Sequence, residues 1–431
     1  MNQSIPLHWP PLPELLGHAP QDWAVVSVFA AVYLGMFLGG LPRLKLDRSG
    51  VALLGAIAVI ALTGMSLDEA ARSVDLPTIV LLFAFMVVSA QMRLGGFYTE
   101  ITRRVGTLPL SRPGLLAALI VVAGALSAIF SNDIICLAMT PVVARLCLQR
   151  GLDPVPFLIG LACAANIGSA ATLIGNPQNM LIGSVLQLPF GGYLRAAAVP
   201  VVISLGLLWA WLAFGPAARQ GAQRSGLGQL AGGALHLADA PAFDRWQTVK
   251  GLSVATVLMG VFLFTDWPRD VAALVGAAVL LLSRRLHSAH VMGFVDWQLL
   301  LLFIGLFVVN HAFGQTGLAD EAVAWLAVQG MHLTEPGTLL VLGTVLSNLV
   351  SNVPAVMLLL PHLGADPQQA GVLLALVSTF AGNLLLVGSI ANLIVADLAA
   401  KEGIELNWGR HALTGLPVTV LSLLVAWAWL R

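Results

Sequence analysis

The sequence predicts an all-α polytopic membrane protein built from two inverted repeats, each with five spans, a re-entrant hairpin and an interrupted helix. Three observations carry this expectation. The 431-residue chain is 58% hydrophobic and only 10% charged, whereas a soluble domain carries about 25% charged residues. Its apolar sequence falls into ten or so runs long enough to cross a hydrocarbon core of about 30 Å. One short polar phrase occurs twice inside such runs, as Ser131-Asn132-Asp133 and Ser351-Asn352-Val353.

The elements follow in order. Residues 1–21 are Pro-rich and carry no Lys or Arg, so the basic start of a signal peptide is missing and an extracytoplasmic tail is expected. The first repeat occupies 22–214. Its spans lie near 23–41, 50–67, 77–94 and 193–214, with a hairpin at 113–148 and a broken helix at 154–188. Residues 215–246 are Gly-, Ala- and Gln-rich and read as a cytoplasmic linker. The second repeat, 247–431, has spans near 250–265, 269–285, 297–313 and 412–430, a hairpin at 336–362 and a broken helix at 370–398.

The hairpins rest on the arms that follow the polar phrases. The apolar run after the first phrase, Ile134 to Ala144, has 11 residues, and that after the second, Pro354 to Pro361, has 8. At 1.5 Å per helical residue these arms reach about 12–17 Å, roughly half of the hydrocarbon core. Each phrase is therefore expected at mid-membrane, where irregular backbone is tolerated only inside protein or beside a wet cavity.

The two halves align at a nearly constant offset. Asp75 matches Asp296, Ser127 matches Ser347, Ser131-Asn132 matches Ser351-Asn352, and Gly175 to Asn179 matches Gly388 to Asn392. Five full crossings is an odd number, so the copies are inverted. Charge gives an independent check. With both termini outside, 17 of the 21 basic residues fall on the inner side, leaving Arg72, Arg195, Arg269 and Arg431 outside.

Few residues are left to carry chemistry. The net charge is zero, which points neither to nucleic acid nor to an acidic partner. Cys136, Cys147 and Cys163 have no metal-type spacing and read as small packing residues. No nucleophile–base spacing or HExxH motif appears, so an enzyme is not expected, nor any cofactor. Pro177 disfavours a continuing helix and Gly175 permits unusual dihedrals, which predicts an unwound stretch with a helix restarting near Met180; a plain proline kink is the alternative. The matching segment at 388–392 lacks a proline.

Two tips and two breaks bring four helix N-termini towards one point, each with unpaired N–H groups. No Lys or Arg is expected near them. Asn132, Asp133, Thr172, Asn176, Asn179, Asn352, Ser389 and Asn392 are the candidate substrate-binding residues. Candidates for a coupling ion, Na⁺ or H⁺, are Asp133, Ser127, Ser131, Asn132, Gly175, Ser347, Ser351, Asn352 and Gly388. Such a cage suits a small oxyanion or carboxylate, or a cation held by hydroxyls and freed carbonyls. Asp133 is the one acid at a tip. It either caps the return helix or changes charge during transport.

At these residues the chain resembles the ion transporter superfamily, which includes arsenite permeases, citrate–metal and dicarboxylate–sodium transporters and some sodium/proton antiporters. The resemblance rests on Ser131-Asn132-Asp133 through Pro141, Asn166-Ile167-Gly168-Ser169 through Asn179, and Ser351 through Pro354, and covers about 22–430. It implies a homodimer whose scaffold holds a mobile transport domain that moves as an elevator. In dicarboxylate members each tip reads Ser-Asn-Thr, with Ser and Asn near sodium and Asn and Thr near carboxylate. Ser131, Asn132, Ser351 and Asn352 match, while Asp133 and Val353 depart at both threonine positions, towards the arsenite-permease-like, proton-linked branch. The expected function is a secondary active transporter in the cytoplasmic membrane for a small anion or oxyanion-like solute, coupled to H⁺ or Na⁺. A sodium/proton antiporter is the alternative, and a channel or membrane-embedded enzyme a remote one.

Overall fold

The structure, a computed structural model, describes residues 18–41, 44–216, 242–364 and 366–430. Most of the expected tail at 1–21 and of the linker at 215–246 lies outside the described residues. The described residues are helical nearly throughout, and among them ten α-helices precede the linker and ten follow it. The first ten are α1 (Pro20–Leu38), α2 (Arg48–Thr63), α3 (Leu67–Ser73), α4 (Leu76–Leu94), α5 (Phe97–Thr107), α6 (Arg112–Ile129), α7 (Asn132–Gln149), α8 (Pro154–Ser169), α9 (Pro177–Val185) and α10 (Phe190–Phe214). The second ten are α11 (Arg245–Phe264), α12 (Arg269–Leu281), α13 (Ser288–Met292), α14 (Trp297–Gln315), α15 (Leu318–Val328), α16 (Pro336–Val350), α17 (Asn352–Leu359), α18 (Pro367–Ala381), α19 (Ile390–Lys401) and α20 (Trp408–Leu430). Each helix of the first half has its counterpart ten places later, down to the short α3 and α13. Eight helices among the described residues are long and apolar enough to cross a membrane.

The same local chemistry starts matching helices. Asp75 accepts a hydrogen bond from the Thr78 amide and Asp296 one from the Leu299 amide, capping α4 and α14. Asp153 caps α8 and Asp366 caps α18, each followed by a proline at the first helical position, where its missing N–H costs nothing.

Packing repeats the pairing across the halves. α2 lies against α14 and α12 against α4; α9 meets α18 and α19 meets α8; α10 meets α20 and α8 meets α18 about the pseudo-axis. At α2–α14 the backbones nearly touch. A methyl group on Gly305 would sit 2.7 Å from the Ala52 carbonyl oxygen, so glycine is required by the approach and not by its own dihedrals. The core is densest along α8, where every residue is buried. With the five full crossings expected of each half, whether or not the hairpin is counted, the number is odd and the copies read as inverted.

Three features differ from the sequence expectation. The first return arm does not stop at Ala144. α7 has 18 residues, about 27 Å at 1.5 Å per residue, because Arg145 ends the apolar run without ending the helix. Its guanidinium donates to the Glu402 carboxylate at the end of α19 at 2.8 Å. The second return arm is short, 8 helical residues and a 3₁₀ turn at Leu360–His362. Stretches left between the expected spans and hairpins also form helices, the amphipathic α5 and its counterpart α15. A two-residue antiparallel bridge (β1, Gly40–Leu41, with β2, Leu46–Asp47) closes the turn before α2.

Candidate functional site

Both expected interruptions are breaks and not kinks. α8 ends at Ser169, and Asn176 is fully extended at φ −153°, ψ 161°. Its side chain accepts from the Asn179 amide, and Pro177 opens α9. The helix therefore restarts at Pro177, three residues earlier than Met180. The second break forms without a proline. α18 ends at Ala381, a 3₁₀ turn covers Leu386–Gly388, and Ser389, at φ −141°, caps α19 by accepting from the Ala391 amide.

The tips are seated on these breaks. The Asn132 amide donates to the Gly175 carbonyl at 3.3 Å. A methyl group on Gly175 would meet the Ser169 carbonyl oxygen at 2.2 Å and that of Ser127 at 2.8 Å, and one on Gly388 would meet Asn348 Oδ1 at 2.7 Å. Glycine at both mated positions is thus a matter of clearance. The backbones of the two tips differ: Ser131 has φ −56°, but Ser351 has φ +76° with ψ 159°, a positive-φ extended conformation that costs a non-glycine residue about 1–3 kcal/mol.

Behind the tips runs a buried amide network that crosses the repeat boundary. Asn166 on α8 is its hub. Its Oδ1 accepts from Asn132 Nδ2 and from Ser389 Oγ, both at 3.0 Å. Its Nδ2 donates to Asn383 Oδ1 at 2.8 Å and Asn392 Oδ1 at 3.2 Å. Thr379 Oγ1 accepts from both Asn176 Nδ2 and Gln178 Nε2.

The tips and helix starts converge on a narrow cleft of about 40 Å³, lined among others by Asn132, Asp133, Gln178, Ser351, Asn352, Ser389 and Arg48. That is room for about three water molecules. Of the candidate substrate-binding residues, Asn132, Asp133, Asn352 and Ser389 line it. Thr172, Asn176, Asn179 and Asn392 lie behind its wall, buried and committed to hydrogen bonds within the protein. Asp133 makes no hydrogen bond to the described residues and does not cap α7.

Arg48 corrects the expectation of a site without basic residues. It opens α2, is half-buried, and has no hydrogen-bond or ion-pair partner among the described residues. Nothing near Arg48 in the sequence signals the tips. Its match to Arg269, at the offset that pairs Asp75 with Asp296, is the signal that could have found it. Asn166, Thr379 and Gln178 escaped because hydrogen-bond hubs leave no spacing pattern.

Four of the coupling-ion candidates form two mated pairs with unsatisfied oxygens. Ser127 Oγ and Ser347 Oγ, which are mates, are buried without a hydrogen-bond partner in the described structure, and so are the mates Asn132 Oδ1 and Asn352 Oδ1. Each such orphan costs about 1–3 kcal/mol unless a ligand satisfies it, and oxygen acceptors around small turns are what a hard cation uses. Asn348 Oδ1, next to Gly388, is a further orphan.

In sequence the chain is similar to transporters. The family model described as citrate transporter matches residues 33–381. A silicon efflux transporter of Oryza sativa subsp. japonica is 30% identical over 91% of this chain and 95% of its own. An uncharacterised transporter of Mycobacterium tuberculosis (strain H37Rv) is 27% identical over 93% and 98%. In fold, the crystal structure of the Alcanivorax borkumensis YdaH transporter superposes with a TM-score of 0.59 at 16% identity, covering 97% of this chain and 98% of that one.

Proposed function

The chain belongs to the citrate transporter family, and from that premise we propose that it is a secondary active transporter for a small oxyanion or hydroxylated acid, driven by protons through Asp133 across the cytoplasmic membrane. The observation that carries this reading is the cleft, where Asp133, without a hydrogen bond of its own, shares about 40 Å³ with Arg48 and both hairpin tips. One carboxylate and one guanidinium leave the lining close to neutral, which favours a neutral or singly charged solute. A tricarboxylate would bring more bulk and more charge than a single Arg48 can offset. The amides of Asn132 and Asn352 offer donors and acceptors together, as a hydroxyl-bearing solute needs. The name of the rice relative, a silicon efflux transporter, points to the same class. Protonation of Asp133 changes the charge of the cleft by one unit, so an anion enters with a proton and a neutral solute exchanges against one.

The test is uptake into proteoliposomes under an imposed pH gradient, with arsenite, silicate, sulfate, phosphate and citrate compared. The wild type is expected to accumulate one small solute in proportion to the gradient. Asp133→Asn should fold and still bind that solute by thermal shift, but the gradient should no longer drive it. An unchanged pH profile in the mutant would reject the proton role.

One further reading has its own support. The paired orphan oxygens of Ser127, Ser347, Asn132 and Asn352 favour Na⁺ as the coupling ion. Thermal stabilisation by Na⁺ against choline at equal ionic strength, lost in Ser127→Ala with Ser347→Ala, would move the proposal to sodium.

A further inference from the structure

The two ends of the molecule are matched in sequence and different in contact. At one end Arg269, opening α12, donates to the Gly183 carbonyl at 2.7 Å. Beside it the Ser184 hydroxyl donates to the Asp75 carboxylate at 2.8 Å. Together these bonds clamp the last turn of α9 to α4 and α12, and Ser184 is buried there. At the other end the offset that pairs Asp75 with Asp296 pairs Arg269 with Arg48, and the offset that pairs Asn176 with Ser389 pairs Gly183 and Ser184 with Ala396 and Asp397. None of the equivalent bonds is made. Arg48 has no hydrogen-bond or ion-pair partner among the described residues, Asp296 is exposed, and Asp397 is exposed with Lys401 as its ion-pair partner at 2.6 Å.

We propose that the protein has a second state in which the clamp changes ends. Arg48 then donates to the Ala396 carbonyl on α19, with Asp397 drawn in against its guanidinium, while Arg269 and Asp75 release α9. An inverted duplication makes this state available, because each half can adopt the arrangement its copy shows now. Arg48 lines the cleft, and so do Ser389 and Ile390 at the start of α19. Bringing the α19 end onto Arg48 therefore covers the cleft from that side.

The two clamps are not chemically equal. Ser184 is matched by Asp397, so the second clamp sets Asp296 and Asp397 side by side, and the Arg48 guanidinium must stand between them. The first clamp joins a hydroxyl to a carboxylate and a guanidinium to a carbonyl. Arg48 is thus a positioning residue for closure, more strictly required at its end than Arg269 is at the other.

The proposal rests on the carrier reading above, but its test reads a distance and not a flux. In the full-length protein Asp75→Cys with Ser184→Cys reports the present clamp, and Asp296→Cys with Asp397→Cys reports the second; the three native cysteines are buried. Both pairs are expected to cross-link under mild oxidation. In the Asp296→Cys/Asp397→Cys protein the bond from Arg48 to the Ala396 carbonyl is the part of the second clamp that remains, so Arg269→Ala should speed cross-linking and Arg48→Ala should slow it, each by roughly fivefold or more. Cross-linking of the first pair in the Arg48→Ala protein shows that the variant folds. Failure of the second pair where the first succeeds, or rates indifferent to both arginines, would overturn the proposal. Exchange of clamps without solute transport would uphold it and sink the carrier reading alone.

Discussion

At the scale of single residues, the site depends on one amide. Asn166 serves both repeats at once, accepting hydrogen bonds from Asn132 and Ser389 and donating to Asn383 and Asn392. Replacing it with alanine leaves four buried polar partners short of a bond each. Orphaned groups cost about 1–3 kcal/mol apiece before water or relaxation intervenes. Asn166→Ala is therefore expected to lower stability by about 3 kcal/mol or more, read as a fall in the thermal midpoint of the purified protein. A conservative Asn132→Ser, which leaves the Asn383 and Asn392 bonds of Asn166 intact, should cost clearly less. Equal losses would mean that Asn166 is not the hub. Its position was visible in the sequence as a polar residue within an apolar run, but the number of its partners was not, because those partners lie up to 226 residues away.

At the scale of elements, legibility followed polarity. The tips and breaks could be read because Ser, Asn, Gly and Pro interrupt apolar runs where helix is otherwise the only way to satisfy the backbone. α5 and α15 could not, since a spanning-length criterion passes over helices of 11 residues. The extent of α7 is hidden for a related reason. Arg145 ends the apolar run but not the helix, because it is only 22% exposed and paired with Glu402 at 12%. The ion pair ties the end of the first hairpin to the end of the second broken helix, two pieces of different repeats. Removing one member of a largely desolvated pair leaves the other charge uncompensated. Glu402→Gln is expected to destabilise by about 2 kcal/mol, whereas Asp397→Asn, breaking the exposed Lys401 pair, should change stability by less than about 1 kcal/mol. Matched urea or thermal melts of the two variants separate the cases, and equal effects would show that the α7–α19 pair carries no structural weight.

At the scale of the whole molecule, inversion is the claim with the widest reach. The ten-and-ten helix order, the mated aspartate caps and the reciprocal packing of α2 on α14 and α12 on α4 establish a duplication; an odd number of crossings per copy makes it an inverted one. Inversion fixes a relation between mated loops that no single-copy fold would impose. The turn between α1 and α2 and the turn between α11 and α12 occupy the same place in their repeats, so they must face opposite sides of the membrane. Lys45 in the first turn and Trp267 in the second are both exposed, and a cysteine at either should react freely. The charge asymmetry predicts the sides, since the first turn belongs with the 17 basic residues expected inside and the second lies beside Arg269, one of the four expected outside. In intact cells a membrane-impermeant maleimide is expected to label Trp267→Cys directly and Lys45→Cys only after permeabilisation. The reverse pattern would keep the inversion and turn the molecule over, exchanging the sides on which Arg48 and Arg269 close. Labelling of both from the same side would mean that the copies are parallel, and the exchange of clamps between the two ends would then have no symmetry to rest on.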